Sequence, residues 1–270
     1  MTDRFSLAGE VAVVTGALGR LGPVWIEALL EAGAIVAALD RPGASASSAF
    51  ASLQARTDPA RLFVAEADVT SRGSIEAARD VVVARAGSPS VLVNNAGIDQ
   101  PPDSGTARTR IEDMPVDLFR RMVDVNLIGT FQMIQVFGAL MVERRRGSIV
   151  NIGSLYASVS PDQRFYDHFE GQPPFLKVPA YGASKAAVVN MTKYFATLWG
   201  PCDVRVNTLS PGGVLGGQDA DFTQKYSSRV PLGRMAGEAD LKGPLVFLAS
   251  GASAYVSGHE LRVDGGFTAW

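Results

Sequence analysis

Tyr181 and Lys185 stand four residues apart in a stretch of helical spacing, so they share one face of a helix. That pairing suits acid–base chemistry. A free phenol ionises near pH ~10 and is a poor base at neutrality. An ammonium beside it stabilises the phenolate and lowers that pKa. A tyrosine so activated can take the proton of a hydroxyl or return one to a carbonyl oxygen. Ser154 follows a β-branched run and is positioned to orient the reacting oxygen and stabilise charge developing on it.

A second constellation lies near the start of the chain. Thr15-Gly16-Ala17-Leu18-Gly19-Arg20-Leu21-Gly22 joins an apolar run to a helical one. Glycines there let the backbone approach a pyrophosphate, and the free N–H groups of the helix start meet its charge. Gly16, Gly19, Arg20 and Leu21 are the candidate contacts. Asp40 ends the next apolar run, where a carboxylate can hold the adenosine ribose hydroxyls and would repel a 2′-phosphate. NAD is therefore expected over NADP. Arg20 and Arg41 keep NADP possible, since a guanidinium pairs readily with phosphate.

These residues need elements to carry them. Val11–Val14, Ile35–Leu39, Leu62–Ala65, Val91–Val93, Ser148–Ile152, Val204–Asn207 and Glu260–Val263 read as strands. Helices are expected over about Leu21–Ala32, Val116–Arg144, Ala180–Leu198 and Leu241–Leu248. Strands this apolar are buried on both faces, and helical spacers imply right-handed crossovers in a parallel sheet. The prediction is an α/β fold, one domain over 1–270 with a doubly wound parallel sheet and helices on both faces. Ligands then bind beyond the carboxyl ends of the strands. Two long loops emerge there, an insertion at 156–179 and a loop at 212–234 whose middle, Ala220–Ser228, can form a short helix and act as a lid.

The 270 residues carry a formal charge of −2, so nothing points to nucleic acid. One cysteine excludes an intrachain disulfide and suits a reducing compartment. No leader-like start and no uninterrupted apolar run of roughly 18 residues is seen. A soluble cytoplasmic protein without membrane partners is expected. Two histidines and one cysteine, widely separated, make no metal site.

Taken in order, the glycine turn, Asp68-Val69, Asn94-Asn95-Ala96-Gly97, Asn126, Ser154, Tyr181-Gly182-Ala183-Ser184-Lys185, Ser210-Pro211-Gly212 and Val263-Asp264-Gly265-Gly266 resemble the short-chain dehydrogenase/reductase family over about Leu7–Phe267. The resemblance implies a Rossmann-like fold, hydride transfer with a nicotinamide cofactor, and Asn126, Ser154, Tyr181 and Lys185 as the catalytic set. It implies that the positive ring of bound NAD+ helps acidify Tyr181. It also implies that Lys185 bonds the nicotinamide ribose and that Asn126 anchors a water linking Lys185 to solvent. A buried, helix-bending amide is the rival reading of Asn126. Asp68 and Val69 would meet the adenine, Asn95, Ala96 and Gly97 the adenosine side, and Pro211 and Val214 the nicotinamide.

Three departures stand out. Arg20 fills the slot of the family's middle glycine, which is displaced to Gly19. Gly216 replaces a common threonine. Ser154 and Tyr181 are 27 positions apart, where the family has about a dozen residues between them. The insertion carries many hydrogen-bonding side chains, which suits a hydroxyl-rich substrate and resembles dehydrogenases of sugars, sugar acids and polyols. Tyr156, Arg164 and His168 are candidate substrate contacts with Ser154 and Tyr181, the guanidinium or imidazole serving an acidic group. Gln218, Asp219, Lys225 and Arg229 are lid candidates, and His259 is expected to be structural. The apolar Phe131–Val142 face and the Phe267–Trp270 tail suit a homodimer or homotetramer. The alternatives are an NADPH-dependent 3-oxoacyl or ketone reductase, with Arg120 and Arg121 docking an acidic carrier protein, and a non-catalytic dinucleotide-binding scaffold.

Overall fold

The structure is a computed structural model and describes residues 4–100 and 108–270. Seven strands form one wholly parallel sheet: β1 (Val11–Thr15), β2 (Ile35–Asp40), β3 (Leu62–Glu66), β4 (Val91–Asn94), β5 (Gly147–Ile152), β6 (Val204–Pro211) and β7 (Glu260–Val263), in the order β3-β2-β1-β4-β5-β6-β7. Val13 pairs with Ala37 on one side and Leu92 on the other. The winding therefore reverses beside β1, and a crevice opens beyond its carboxyl end. All seven predicted strands are present. β1 and β4 are buried throughout, as their unbroken apolar runs require. The outermost strands depart from that expectation: β3 alternates buried and exposed, and β7 is only partly covered, because each has a neighbour on one side only.

Two apolar layers clamp the sheet. One holds α1 (Gly22–Glu31) and α8 (Ala239–Ala249), with Trp25, Ile26, Leu29, Leu241 and Leu245 sealed against β1, β4 and β5. Complete burial of such side chains contributes roughly 1.5–3 kcal/mol each. The other carries α3 (Arg72–Ala86), α5 (Thr130–Glu143) and α6 (Pro179–Trp199), through Ile75, Val82, Met133, Phe137 and Phe195. α2 (Ser48–Arg56) and α3 were not drawn individually from the sequence. Both start on a serine whose hydroxyl accepts a backbone N–H of the first turn.

The helix expected over Val116–Arg144 is divided. α4 (Val116–Val123) runs into a wide π turn over Asp124–Gly129 and then into α5. At Gly129 a Cβ would come within 2.7 Å of Val69. The combined span is long and apolar enough to cross a membrane, yet half of its most apolar stretch is buried inside the protein, as in a core helix.

The insertion and the 212–234 loop meet over the sheet's carboxyl edge. α7 (Ala220–Ser228) forms where the lid helix was expected. Phe165 and Tyr166 of the insertion pack on Phe222 and Tyr226 of α7, and Tyr226 stacks on Phe267, ring centroids 5.0 Å apart.

Candidate active site

The crevice beyond β1 and β4 is a cavity of about 560 Å³. One end is lined by Asp40, Arg41, Asp68 and Val69, the other by Ser154, Tyr181, Lys185, Pro211 and Val214, and Gly16, Gly19, Arg20, Leu21, Asn95, Ala96 and Gly97 lie between. The glycine turn is shaped for close approach. Gly16 has φ +61°, and a Cβ there would sit 2.8 Å from Ala96 Cα. At Gly22 a Cβ would strike the Ala17 carbonyl at 2.2 Å, so α1 can start against the turn only with glycine at that position. The turn thus brings Gly16, Gly19, Arg20 and Leu21 to the cleft wall at the start of α1. This cradle fits a dinucleotide.

The neighbouring side chains hold the turn in place. Asn95 Nδ2 donates to the carbonyls of Thr15 and Gly16, and its Oδ1 accepts the Trp25 indole N–H at 2.7 Å. Thr15 Oγ1 accepts the N–H groups of Asn95 and Ala96. Asp40 accepts the Leu18 and Arg41 N–H groups, one on each oxygen, fixing its carboxylate at the cleft wall. Asp68 is similarly fixed by Thr70. Arg20 reaches across the cleft, and its Nη2 donates to the Val214 carbonyl at 2.7 Å.

At the other end, Lys185 Nζ donates to the Ile152 carbonyl at 2.7 Å and lies 5.9 Å from the Tyr181 ring centroid. Burial holds its pKa down at about 8. The Tyr181 pKa is raised above the usual tyrosine value, first by burial, then by the Asp99 charge, with the Ser154 hydroxyl opposing. In the protein alone this shift runs opposite to the acidification expected of Tyr181 beside Lys185 and a bound nicotinamide ring, because burial disfavours the phenolate. Asn126 is 1% exposed; its Oδ1 accepts the Ile98 N–H, and its Nδ2 donates to the Ile98 carbonyl and to Ser184 Oγ. It thus sits in the π turn as a buried amide that fixes the backbone beside Gly97.

A family model described as Enoyl-(Acyl carrier protein) reductase matches residues 21–268. D-threitol dehydrogenase of Mycolicibacterium smegmatis is 35% identical over 98% of this chain and 95% of its own. Among solved structures, a gluconate 5-dehydrogenase from Burkholderia cenocepacia in complex with NADP and tartrate superposes with a TM-score of 0.84 at 31% identity, covering 99% of this chain and 98% of the other. A short chain dehydrogenase from Leptospira borgpetersenii with bound NAD+ gives 0.83 at 32%, covering 99% and 96%. The chain belongs to the short-chain dehydrogenase/reductase family. It is an NAD(P)-dependent oxidoreductase.

Not every residue singled out in this short-chain dehydrogenase from its sequence reaches the cleft. Arg164 does not: its side chain is 78% exposed and is forked onto Asp162. His168 points to α7 and its cap instead, with Nε2 3.0 Å from Asp219 and Nδ1 3.3 Å from Lys225, which also pairs with Asp167. Tyr156 is directed to Tyr166, and burial raises its pKa. Gln218 folds back on Val214 and Gly216, and Arg229 lies over the Phe267 ring. The polar side chains of the insertion thus staple it to α7, because the two loops have no strand to hold them. His259 gives its backbone N–H to Asn207 in a structural setting.

Several cleft residues were missed. Ile98 and Asp99, just past the Asn94–Gly97 motif, line the cavity, as does Arg121 of α4. Arg120 instead pairs with Asp117 on the surface. Lys177 ion-pairs with Asp99 and lies 5.6 Å from the Tyr181 ring, on a side chain only 7% exposed. The available signal was a lysine alone in the apolar run Phe175–Val178, one helical turn before Tyr181.

Proposed function

We propose that this enzyme oxidises a secondary hydroxyl, or a hemiacetal, of a sugar, sugar acid or polyol with NAD, and reduces the matching carbonyl in reverse. The observation that carries this reading is the meeting of Tyr181, Ser154 and Lys185 at one end of a cleft whose other end is Asp40 and the glycine turn. The dinucleotide, when bound, accepts or supplies the hydride. Tyr181 exchanges the hydroxyl proton, Ser154 hydrogen-bonds the reacting oxygen, and Lys185 supplies positive charge beside the phenol. Asn126 fixes the Ile98 backbone at the edge of that pocket. The NAD preference is supported by the Asp40 carboxylate, and by Arg20, whose guanidinium is engaged at Val214 rather than at the ribose end. The 35% identity to a threitol dehydrogenase supports the substrate class.

The same reading includes a homodimer or homotetramer, in keeping with Ile128, Phe131, Tyr194 and Leu198, exposed apolar side chains around α5 and α6. It also includes the cytoplasm, in keeping with the unpaired Cys202. Initial rates with NAD and NADP against aldoses, sugar acids, polyols and oxoacyl thioesters test it. Turnover of a carbohydrate with NAD is expected. Activity confined to NADPH and thioesters would contradict it.

A further inference from the structure

The substrate end of the cleft carries an acidic acceptor, Asp99, whose own cation is Lys177. Asp99 lines the cavity together with Ser154 and Tyr181, and its side chain is 36% exposed. One of its oxygens, Oδ2, is held by the buried ammonium of Lys177, which also approaches the Gln100 carbonyl at 3.5 Å. The Asp99 charge is felt at Tyr181, Lys185, Tyr156 and Tyr166 alike, which puts it among the titratable groups of the site. Beside it, Gln100 Oε1 is buried and has no hydrogen-bond partner among the described residues.

In the insertion and α7, Arg164, Lys177 and Lys225 pair with Asp162, Asp99 and Asp167, and the His168 imidazole lies 3.0 Å from Asp219. A substrate carboxylate entering this pocket would face Asp99, and the lysines and arginine of the insertion and α7 are already paired with acids, which leaves Arg121 on the cleft wall as the competing cation. A hydroxyl would find a carboxylate acceptor oriented for it.

We propose that Asp99 accepts a hydrogen bond from a substrate hydroxyl beside the reacting carbon, that Lys177 positions Asp99 for this, and that the enzyme therefore selects neutral polyols over sugar acids. This rests on the carbohydrate reading above and narrows it. Lys177 is a positioning residue; Asp99 touches the substrate.

The test compares matched pairs, threitol with threonate, glucitol with gluconate and galactitol with galactonate, in NAD-dependent oxidation. At least one polyol exceeds its acid by about tenfold or more in kcat/KM. Asp99→Asn raises the polyol KM about tenfold and narrows the gap to the acid, while the NADH dissociation constant, read by fluorescence, moves less than about twofold. Lys177→Gln shifts KM more than kcat, and Lys177→Arg restores most of the loss, as a purely structural lysine would not. Preference for the acids, above all one lost in Arg121→Gln, overturns the proposal, as does an unchanged polyol KM in Asp99→Asn. If neither member of any pair reacts while ketones or thioesters do, the carbohydrate reading itself falls.

Discussion

A Cβ placed on Gly216 would lie 2.0 Å from Arg20 Nη2, so the guanidinium occupies the space a side chain at position 216 would need. Arg20 stands where the family has a glycine, and Gly216 where it commonly has a threonine. In sequence these are two independent departures. In space they are one, a guanidinium spanning from the glycine turn to the Val214 carbonyl.

Gly216→Thr therefore expels the Arg20 side chain and weakens NADH binding, by about tenfold if one charge-assisted hydrogen bond is lost. Arg20→Gly with Gly216→Thr recovers part of that loss, since the clash disappears and a hydroxyl returns. Titration by NADH fluorescence for the two single variants and the double variant gives the coupling. Additive losses would show that the residues act separately.

The proposed preference for NAD rests on Asp40. Its oxygens also hold the Leu18 and Arg41 N–H groups, so Asp40→Ala frees the end of the turn as well as removing the charge. The NADP-to-NAD ratio of kcat/KM rises by about tenfold or more, and NAD-dependent activity falls. A ratio that does not move would place the discrimination elsewhere.

The pH dependence follows from the two shifts. Tyr181, with its pKa raised, holds its proton at neutral pH, so oxidation, which needs the phenolate, gains about tenfold in kcat/KM per pH unit on going alkaline, while reduction stays level around neutrality. Lys185 sheds its charge above about 8, which disfavours the phenolate, so the oxidative slope lessens there. Lys185→Arg keeps its charge and removes that bend. An oxidative profile flat between pH 6 and 8 would contradict the raised tyrosine.

The sheet was legible because its strands are short apolar runs of β-branched residues separated by helical spacers, and burial on two faces leaves little else for Val11–Val14 or Val91–Val93 to be. The cleft was legible for the same reason: Asp40, Ser154 and Lys185 sit at or beside strand ends, where topology brings them together. The π turn at Asn126 was not, since its residues have ordinary helical spacing, and the contacts made there, Asn126 with Ile98 and Gly129 against Val69, join segments far apart in sequence. The role of the insertion was misjudged for a related reason. Arg164 and His168 have the chemistry to hold a substrate, but Asp162 and Asp219 reach them first, and only coordinates reveal that competition. Lys177 was overlooked because its partner, Asp99, is 78 positions away in sequence.

The phenol of Tyr181 bears the account most directly. Tyr181→Phe removes one oxygen from a ring whose packing against Lys177 and Lys185 is otherwise kept. Single-turnover hydride transfer from NADH, read at the nicotinamide absorbance, is expected to fall by about 10²–10⁴-fold, with NADH binding changed less than about twofold. Wild-type transfer rates in that variant would show that the proton moves through another group.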